Sequence, residues 1–197
     1  MWHEVPHEIE IKLKVEDPLA LKKKLKECGF VVVEHRHFES NLVFDFRNSR
    51  LRNSRSLLRL RNKGNRHILT FKGPPHPSDS YKIRPEIEME VRDGKTLQQI
   101  FKVLGLRPTF RYEKYRTIYA EKGRRKTADM PLLVFDETPI GPYIELEGPW
   151  GWIDRKARRL GYRKEDYIKS SYAALYRKQC RRNGVKPKDM VFHPNKS

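Results

Sequence analysis

Glutamates recur in this sequence as alternate-position sets: Glu8 with Glu10, Glu86 with Glu88 and Glu90, Glu145 with Glu147. Cations recur in the same way. Lys12 follows Glu10, Arg59 and Arg61 flank Leu60, Lys72 follows Thr70, and Lys114 and Arg116 flank Tyr115. Alternate residues of an extended chain share a face, so each set turns its charges to one side and aliphatic or aromatic residues to the other. Paired carboxylates are the hard oxygen ligands that Mg²⁺ or Mn²⁺ takes together with water and phosphate oxygens. Arginine clamps phosphate with a planar fork, and lysine serves as a point charge. The stretch 47–72 adds Arg47, Arg50, Arg52, Arg55, Lys63 and Arg66 and holds no acid. A basic face alone would point to nucleic acid and an acidic face alone to a cation site. A cavity lined by both suits a metal-chelated polyphosphate.

These residues need strands to align them. HEIEIKLKV (7–15) alternates strictly between apolar and charged, as a half-buried strand does. Further strands are predicted in 31–46, 56–62, 67–73, 111–120 and 131–139, with a hairpin turn at Lys63–Asn65 and a basic loop before 131. Three segments, 8–30, 86–106 and 143–162, share one plan: a Glu-bearing strand, then a helix that stops at a glycine followed by an apolar or aromatic residue. Asp17 is a good N-cap, Pro18 fits the first helical position, and Gly29 can end the helix in the left-handed region. A last helix is predicted over 163–182, giving about eight strands and four helices in an α+β arrangement, mainly antiparallel, with helices packed on one side. Domain 1–182 is continuous, and 183–197 reads as a basic, frayed tail. The charged sheet face has two options: it faces water, or the sheet closes into a barrel around it.

The net charge of +18 favours a polyanionic ligand, and 11% aromatic residues argue against disorder. Cys28 and Cys180 match no metal spacing and fit a reducing compartment. No apolar run reaches membrane-spanning length, and the expectation is a soluble cytoplasmic protein. His35, His37 and His67 are scattered and read as surface or core residues; Trp150 and Trp152 read as packing groups. The Arg-rich 47–55 reads as a basic loop.

EIEIK (8–12) resembles the Glu-x-Glu-x-Lys signature of the CYTH superfamily, the triphosphate tunnel metalloenzymes. The other elements follow in family order: LLRLR (57–61), TFKG (70–73), IRPEIEMEV (83–91), EKYR (113–116), VFDETPIGPYIELEG (134–148) and KSSYAALY (169–176). The later stretches look most like the cyclase-like branch, related to class IV adenylyl cyclases and thiamine triphosphatases. The resemblance implies an eight-stranded antiparallel barrel with a charged interior and helices outside. It also implies Mg²⁺ or Mn²⁺ and a triphosphate-bearing substrate. Arg59, Arg61, Lys72, Arg84, Lys114 and Arg116 would hold the triphosphate; Glu8, Glu10, Glu88, Asp136, Glu145 and Glu147 would bind metal. Lys12, with Glu8 and Glu10, would be catalytic, either neutralising its neighbours or moving a proton if its pKa is depressed. Pro85 interrupts the central acidic strand, which leaves open whether Glu86, Glu88 or Glu90 reaches the site. Hydrolysis of an inorganic or organic triphosphate is the leading expectation. Cyclisation of ATP to cAMP and pyrophosphate is the alternative, and a non-catalytic polyphosphate or nucleic-acid binder is the alternative of another class. Nucleic acid is otherwise expected only as a secondary contact.

Overall fold

A computed structural model describes residues 5–123 and 130–193. Its strands are β1 (His7–Lys14), β2 (Phe30–Phe46), β3 (Leu57–Lys63), β4 (Arg66–Lys72), β5 (Lys82–Val91), β6 (Leu106–Glu121), β7 (Leu132–Thr138) and β8 (Gly141–Glu147). They close into one barrel in the order β1-β5-β4-β3-β2-β6-β7-β8, every neighbouring pair antiparallel. The helices are α1 (Pro18–Glu27), α2 (Arg50–Asn53), α3 (Gly94–Val103), α4 (Trp150–Leu160) and α5 (Tyr172–Arg182). The chain is thus the expected α+β barrel with helices packed outside.

Closure decides what the charged faces see. Glu10 lies opposite Glu147, Lys12 opposite Glu145, Arg116 opposite Asp136, Arg59 opposite Thr70, and Lys72 opposite Glu86. A pleated strand alternates its faces, so this register turns Glu8, Glu10, Lys12, Arg59, Lys72, Arg116, Glu145 and Glu147 inward, and Ile11, Leu13, Leu133, Phe135, Ile144 and Leu146 outward. The outward residues need cover. Ile11, Leu13, Leu133, Phe135, Ile144 and Leu146 form one buried cluster with Leu21 and Leu25 of α1 and Trp152, Ile153 and Ala157 of α4. Burying each such aliphatic side chain stabilises the fold by about 1.5–3 kcal/mol. A second cluster sets Phe101 of α3 edge-on to Phe44, ring centroids 5.1 Å apart.

The three strand-helix repeats are β1-α1, β5-α3 and β8-α4. Asp17 accepts from Leu19 N (2.8 Å) and Ala20 N (3.0 Å), and Asp93 accepts from Lys95 N (2.8 Å), caps that contribute about 1 kcal/mol each. Gly29, Gly105 and Gly161 follow these helices at φ 79°, 83° and 96°, where a side chain would be strained. Gly73 is needed for a different reason: a Cβ there would lie 2.7 Å from Pro85 Cγ. Pro85 itself sits one residue beyond the β4 pairing, in register with His7, and its carbonyl accepts from Gly73 N (2.9 Å).

Three expectations change. The basic stretch 47–55 contains the single turn α2, because Asp45 accepts from Leu51 N (2.9 Å) and Arg52 N (3.0 Å). The last helix divides into a 3₁₀ turn (Lys164–Asp166) and α5. Among its described residues, which reach 193, the tail is anchored after Gly184. Met190, 1% exposed, donates to Arg111 O and accepts from Glu113 N, both at 2.9 Å, and the Phe192 ring packs on Tyr115. It occupies an edge of β6 that β7 leaves unpaired, since β7 pairs only with 115–119. Ile168 does the same for β1, exchanging two backbone bonds with Lys12 beyond the end of the β5 pairing. The expected basic loop before 131 falls largely on 124–129, outside the described residues. Among the described residues, no helix is long and apolar enough to cross a membrane.

Candidate active site

The barrel encloses a cavity of about 380 Å³ that eight Lys or Arg and six Glu side chains line. Five of the sequence-predicted cations meet there: Arg59, Arg61, Lys72, Lys114 and Arg116. Arg59 donates to Tyr112 Oη (3.2 Å) and Thr70 Oγ1 (2.9 Å), while its buried Nε has no hydrogen-bond partner. Arg61 Nε donates to Asn41 Oδ1 (3.1 Å) and lies 3.3 Å from Glu39. Lys72 bridges Glu8 and Glu86. Arg84 also lines the cavity, but its guanidinium donates to the carbonyls of Gly73 (2.7 Å), Arg55 (2.6 Å) and Lys72 (3.2 Å). It clamps the barrel wall rather than standing free for phosphate.

The acids divide into two groups. Glu8, Glu10 and Glu147 bring one carboxylate oxygen each within 4.8 Å of one another. Glu8 pairs with Lys72 and Glu10 with Lys82, whereas Glu147 has no ion pair among the described residues. Burial, aided by Glu8 and Glu145, pushes the Glu147 carboxyl up to about 8. Burial opposes the charged form of Glu10 as well, but the Lys82 ammonium outweighs it and holds that pKa below the usual value. A buried, under-compensated set of three carboxylates fits a hard divalent cation by the chemistry of its donors.

The other group is spent internally. Asp136, fully buried, accepts from Arg116 Nε (2.7 Å), Arg116 Nη2 (2.7 Å), Lys114 Nζ (2.9 Å) and Tyr172 Oη (2.8 Å). Glu145 accepts from Lys12 (2.5 Å) and Arg116 (2.6 Å). Both are expected as metal ligands; among the described residues both accept from cations, and neither belongs to the clustered trio. Glu88, expected in the same role, accepts from Thr70 Oγ1 (2.9 Å) and lies 3.7 Å from Arg59, away from the three clustered carboxylates. Glu86 and Glu88 line the cavity, while Glu90 pairs outside with Arg66 (2.7 Å).

Lys12 is buried, which disfavours its charge, yet Glu145 and Glu10 hold its pKa above the usual lysine value. That direction is opposite to the depressed pKa a proton-accepting role needs, and the contact it makes is that of a counter-ion to Glu145. Sequence reasoning missed four participants. Lys82 shares the parity of Glu86 and Glu88, a signal that was available. Glu39, 1% exposed and facing Arg61 and Lys114 (3.5 Å), lies beyond the bulges of β2, which disrupt the alternation. Tyr112 and Tyr172 present an apolar body and bury a hydroxyl, so their polar use does not show in a pattern. His37, expected as a bystander, contacts Glu34 (2.9 Å) and Glu39 (3.3 Å). Trp152 packs in the core and donates to Glu121 (2.8 Å).

The family model described as "CYTH domain" matches residues 6–172. A candidate adenylate cyclase from Methanocaldococcus jannaschii is 29% identical over 178 residues, 85% of this chain and 97% of that one. Among solved structures, a candidate adenylate cyclase from Vibrio parahaemolyticus superposes with a TM-score of 0.72 at 16% identity, over 86% of this chain and 97% of its own. A Hippeastrum protein, described as a candidate adenylyl cyclase with a dominant triphosphatase activity, does so with a TM-score of 0.56 at 19% identity, over 91% and 97%. At such identities the two structural likenesses speak for the fold.

Proposed function

The chain belongs to the CYTH domain family, and on that premise we propose that it is a divalent-cation-dependent enzyme that hydrolyses a triphosphate-bearing substrate inside the barrel. One observation carries the reading: one cavity inside the closed barrel holds a wall of cations and, beside it, three carboxylates with too little positive charge of their own. Arg59, Arg61, Lys72, Lys114 and Arg116 bind the phosphate oxygens and offset the charge that develops on the transferred phosphoryl group. Asp136 and Tyr172 fix Lys114 and Arg116, so little reorganisation is left to the moment of reaction. The enclosed space thins the water around these charges and strengthens their pull. Glu8, Glu10 and Glu147 would hold Mg²⁺ or Mn²⁺, which when bound would supply Lewis-acid polarisation and a lower pKa for the attacking water.

The name of the Methanocaldococcus jannaschii relative favours a second reading, cyclisation of ATP. It would use the same cations and carboxylates, with the ribose 3′-hydroxyl attacking in place of water. The Hippeastrum protein, whose cyclase designation goes with dominant triphosphatase activity, is a reason not to let a name decide. A polyanion binder without turnover would gain nothing from the inward-facing glutamates.

The test is to incubate the protein with tripolyphosphate, ATP and thiamine triphosphate, each with Mg²⁺ or Mn²⁺, and to separate the products. Orthophosphate release that needs the cation supports hydrolysis. cAMP with pyrophosphate from ATP supports cyclisation. No turnover of any of the three, with tight binding retained, overturns both.

A further inference from the structure

The two ammonium groups that touch the acidic trio are placed differently. Lys72, in β4, contacts Glu86 (2.9 Å) as well as Glu8, so it keeps a partner if Glu8 turns away. Lys82 has Glu10 as its only ion-pair partner among the described residues. It is the first residue of β5, opposite Glu10 at the end of the β1 pairing, and it lines the cavity. Its backbone is held on both sides. The preceding Tyr81 donates its backbone N–H to Ser78 Oγ (3.1 Å) and its hydroxyl to Asp154 (2.7 Å), and the following Ile83 pairs with Ile9 and accepts from His76 N (2.9 Å). What can move is therefore the side chain. Glu10 accepts from Lys82 through Oε1 and brings a carboxylate oxygen within 4.8 Å of one from each of Glu8 and Glu147, so an ammonium and a divalent ion would compete for its carboxylate.

Resting on the cation-dependent reading above, we propose that Lys82 is a resident counter-cation of the acidic trio, exchanged for the divalent ion as that ion binds. Without the ion, Lys82 limits the repulsion among Glu8, Glu10 and Glu147. On binding, the divalent charge takes over Glu10, and the ammonium swings from it toward solvent. Lys82 thus sets the affinity of the site: it lowers affinity for any divalent ion by making exchange part of the binding step.

The experiment titrates the metal-free full-length chain with Mn²⁺, without a triphosphate, and follows free Mn²⁺ by electron paramagnetic resonance. Lys82→Met removes the competing charge and should tighten Mn²⁺ binding by about five- to tenfold, the effect of one partly screened charge pair. Lys82→Arg keeps a competing charge and should bind nearer the wild-type affinity. Lys169→Met removes a cation that anchors the same connecting segment through the carbonyl of Ser78 (2.7 Å), and it should leave the affinity unchanged. A second measurement needs no variant: acylation of the wild-type Lys82 amine, read by peptide mass spectrometry, should rise several-fold when Mn²⁺ is added, while that of Lys169 stays constant. A wild-type chain that takes up no Mn²⁺ overturns the cation-dependent reading and this proposal with it. Mn²⁺ uptake by the wild type, with Lys82 acylation flat or falling, overturns the exchange alone. So does unchanged or weaker binding by a folded Lys82→Met chain.

Discussion

Glu145 and Glu147 lie two residues apart on one strand and face one cavity, yet the barrel treats them oppositely. Glu145 lies between Lys12 and Arg116 and is held well below the usual carboxylate range: burial opposes its charge, and those cations win. Glu147 meets Glu8 and Glu10 and is pushed up to about 8. The difference teaches where the structure is closed and where it is open. Around Asp136 and Glu145 the charges satisfy one another, which makes a rigid platform for Lys114 and Arg116. Around Glu147 they do not, and a missing positive charge is the mark of a site made for a ligand.

The comparison can be broken most decisively at the open side. The double variant Glu8→Ala/Glu10→Ala should lose cation-dependent tripolyphosphate hydrolysis by about a thousandfold or more while its circular dichroism stays that of the wild type. Orthophosphate release at saturating Mn²⁺ measures it. Next comes the closed side. Asp136→Asn leaves Lys114 and Arg116 short of a buried counter-charge and should destabilise the fold by about 3–5 kcal/mol in urea unfolding. If it unfolds like the wild type, the platform is not a structural unit.

Glu147→Gln should act in the opposite direction. The folded pKa of Glu147, about 8, stands above its ordinary value of 4.5, so the folded chain holds a proton there that the unfolded chain releases. Wild-type stability therefore drains away as pH rises from 4.5 toward 8, by roughly 1 kcal/mol per pH unit, and levels off above 8. The Gln variant lacks this loss, so its advantage in metal-free urea unfolding should widen across that window. The same proton must leave before Glu147 can ligate a cation. Mn²⁺ affinity of the wild type should rise with pH, by up to about tenfold per unit, and flatten above 8. The smallest effect is expected at the outer pair: Glu90→Gln removes a solvent-exposed partner of Arg66 and should leave Mn²⁺ affinity and hydrolysis unchanged.

Much of this was legible before any coordinates. Strict alternation in 8–15 and 83–91 set which residues share a face, and Asp17, Pro18 and Gly29 marked the limits of α1. The Glu-x-Glu, Arg-x-Arg and Lys-x-Arg sets named most of the cavity's charges, but not Lys82. Less legible were places where a long-range partner replaces a local pattern. Met190 and Phe192 anchor a polar tail that looked free, because the edge they occupy exists only where β7 stops short on β6. Arg84 looked like its neighbours in the alternation, but three carbonyls claim it. Glu39 and Tyr172 gain their roles from β6 and β7, far along the chain.

The sequence by itself determined the faces, because pleat and periodicity are local consequences of backbone geometry. It also determined the signs of the charges on those faces and the stops of the capped helices. Only the tertiary structure decided that the charged faces enclose a space, which carboxylates are neutralised there, and which are left short. Those outcomes depend on barrel register, which brings residues more than a hundred positions apart within a few ångströms, such as Lys12 and Glu145 at 2.5 Å. Electrostatic energy depends on that distance and on burial, and no local pattern encodes either.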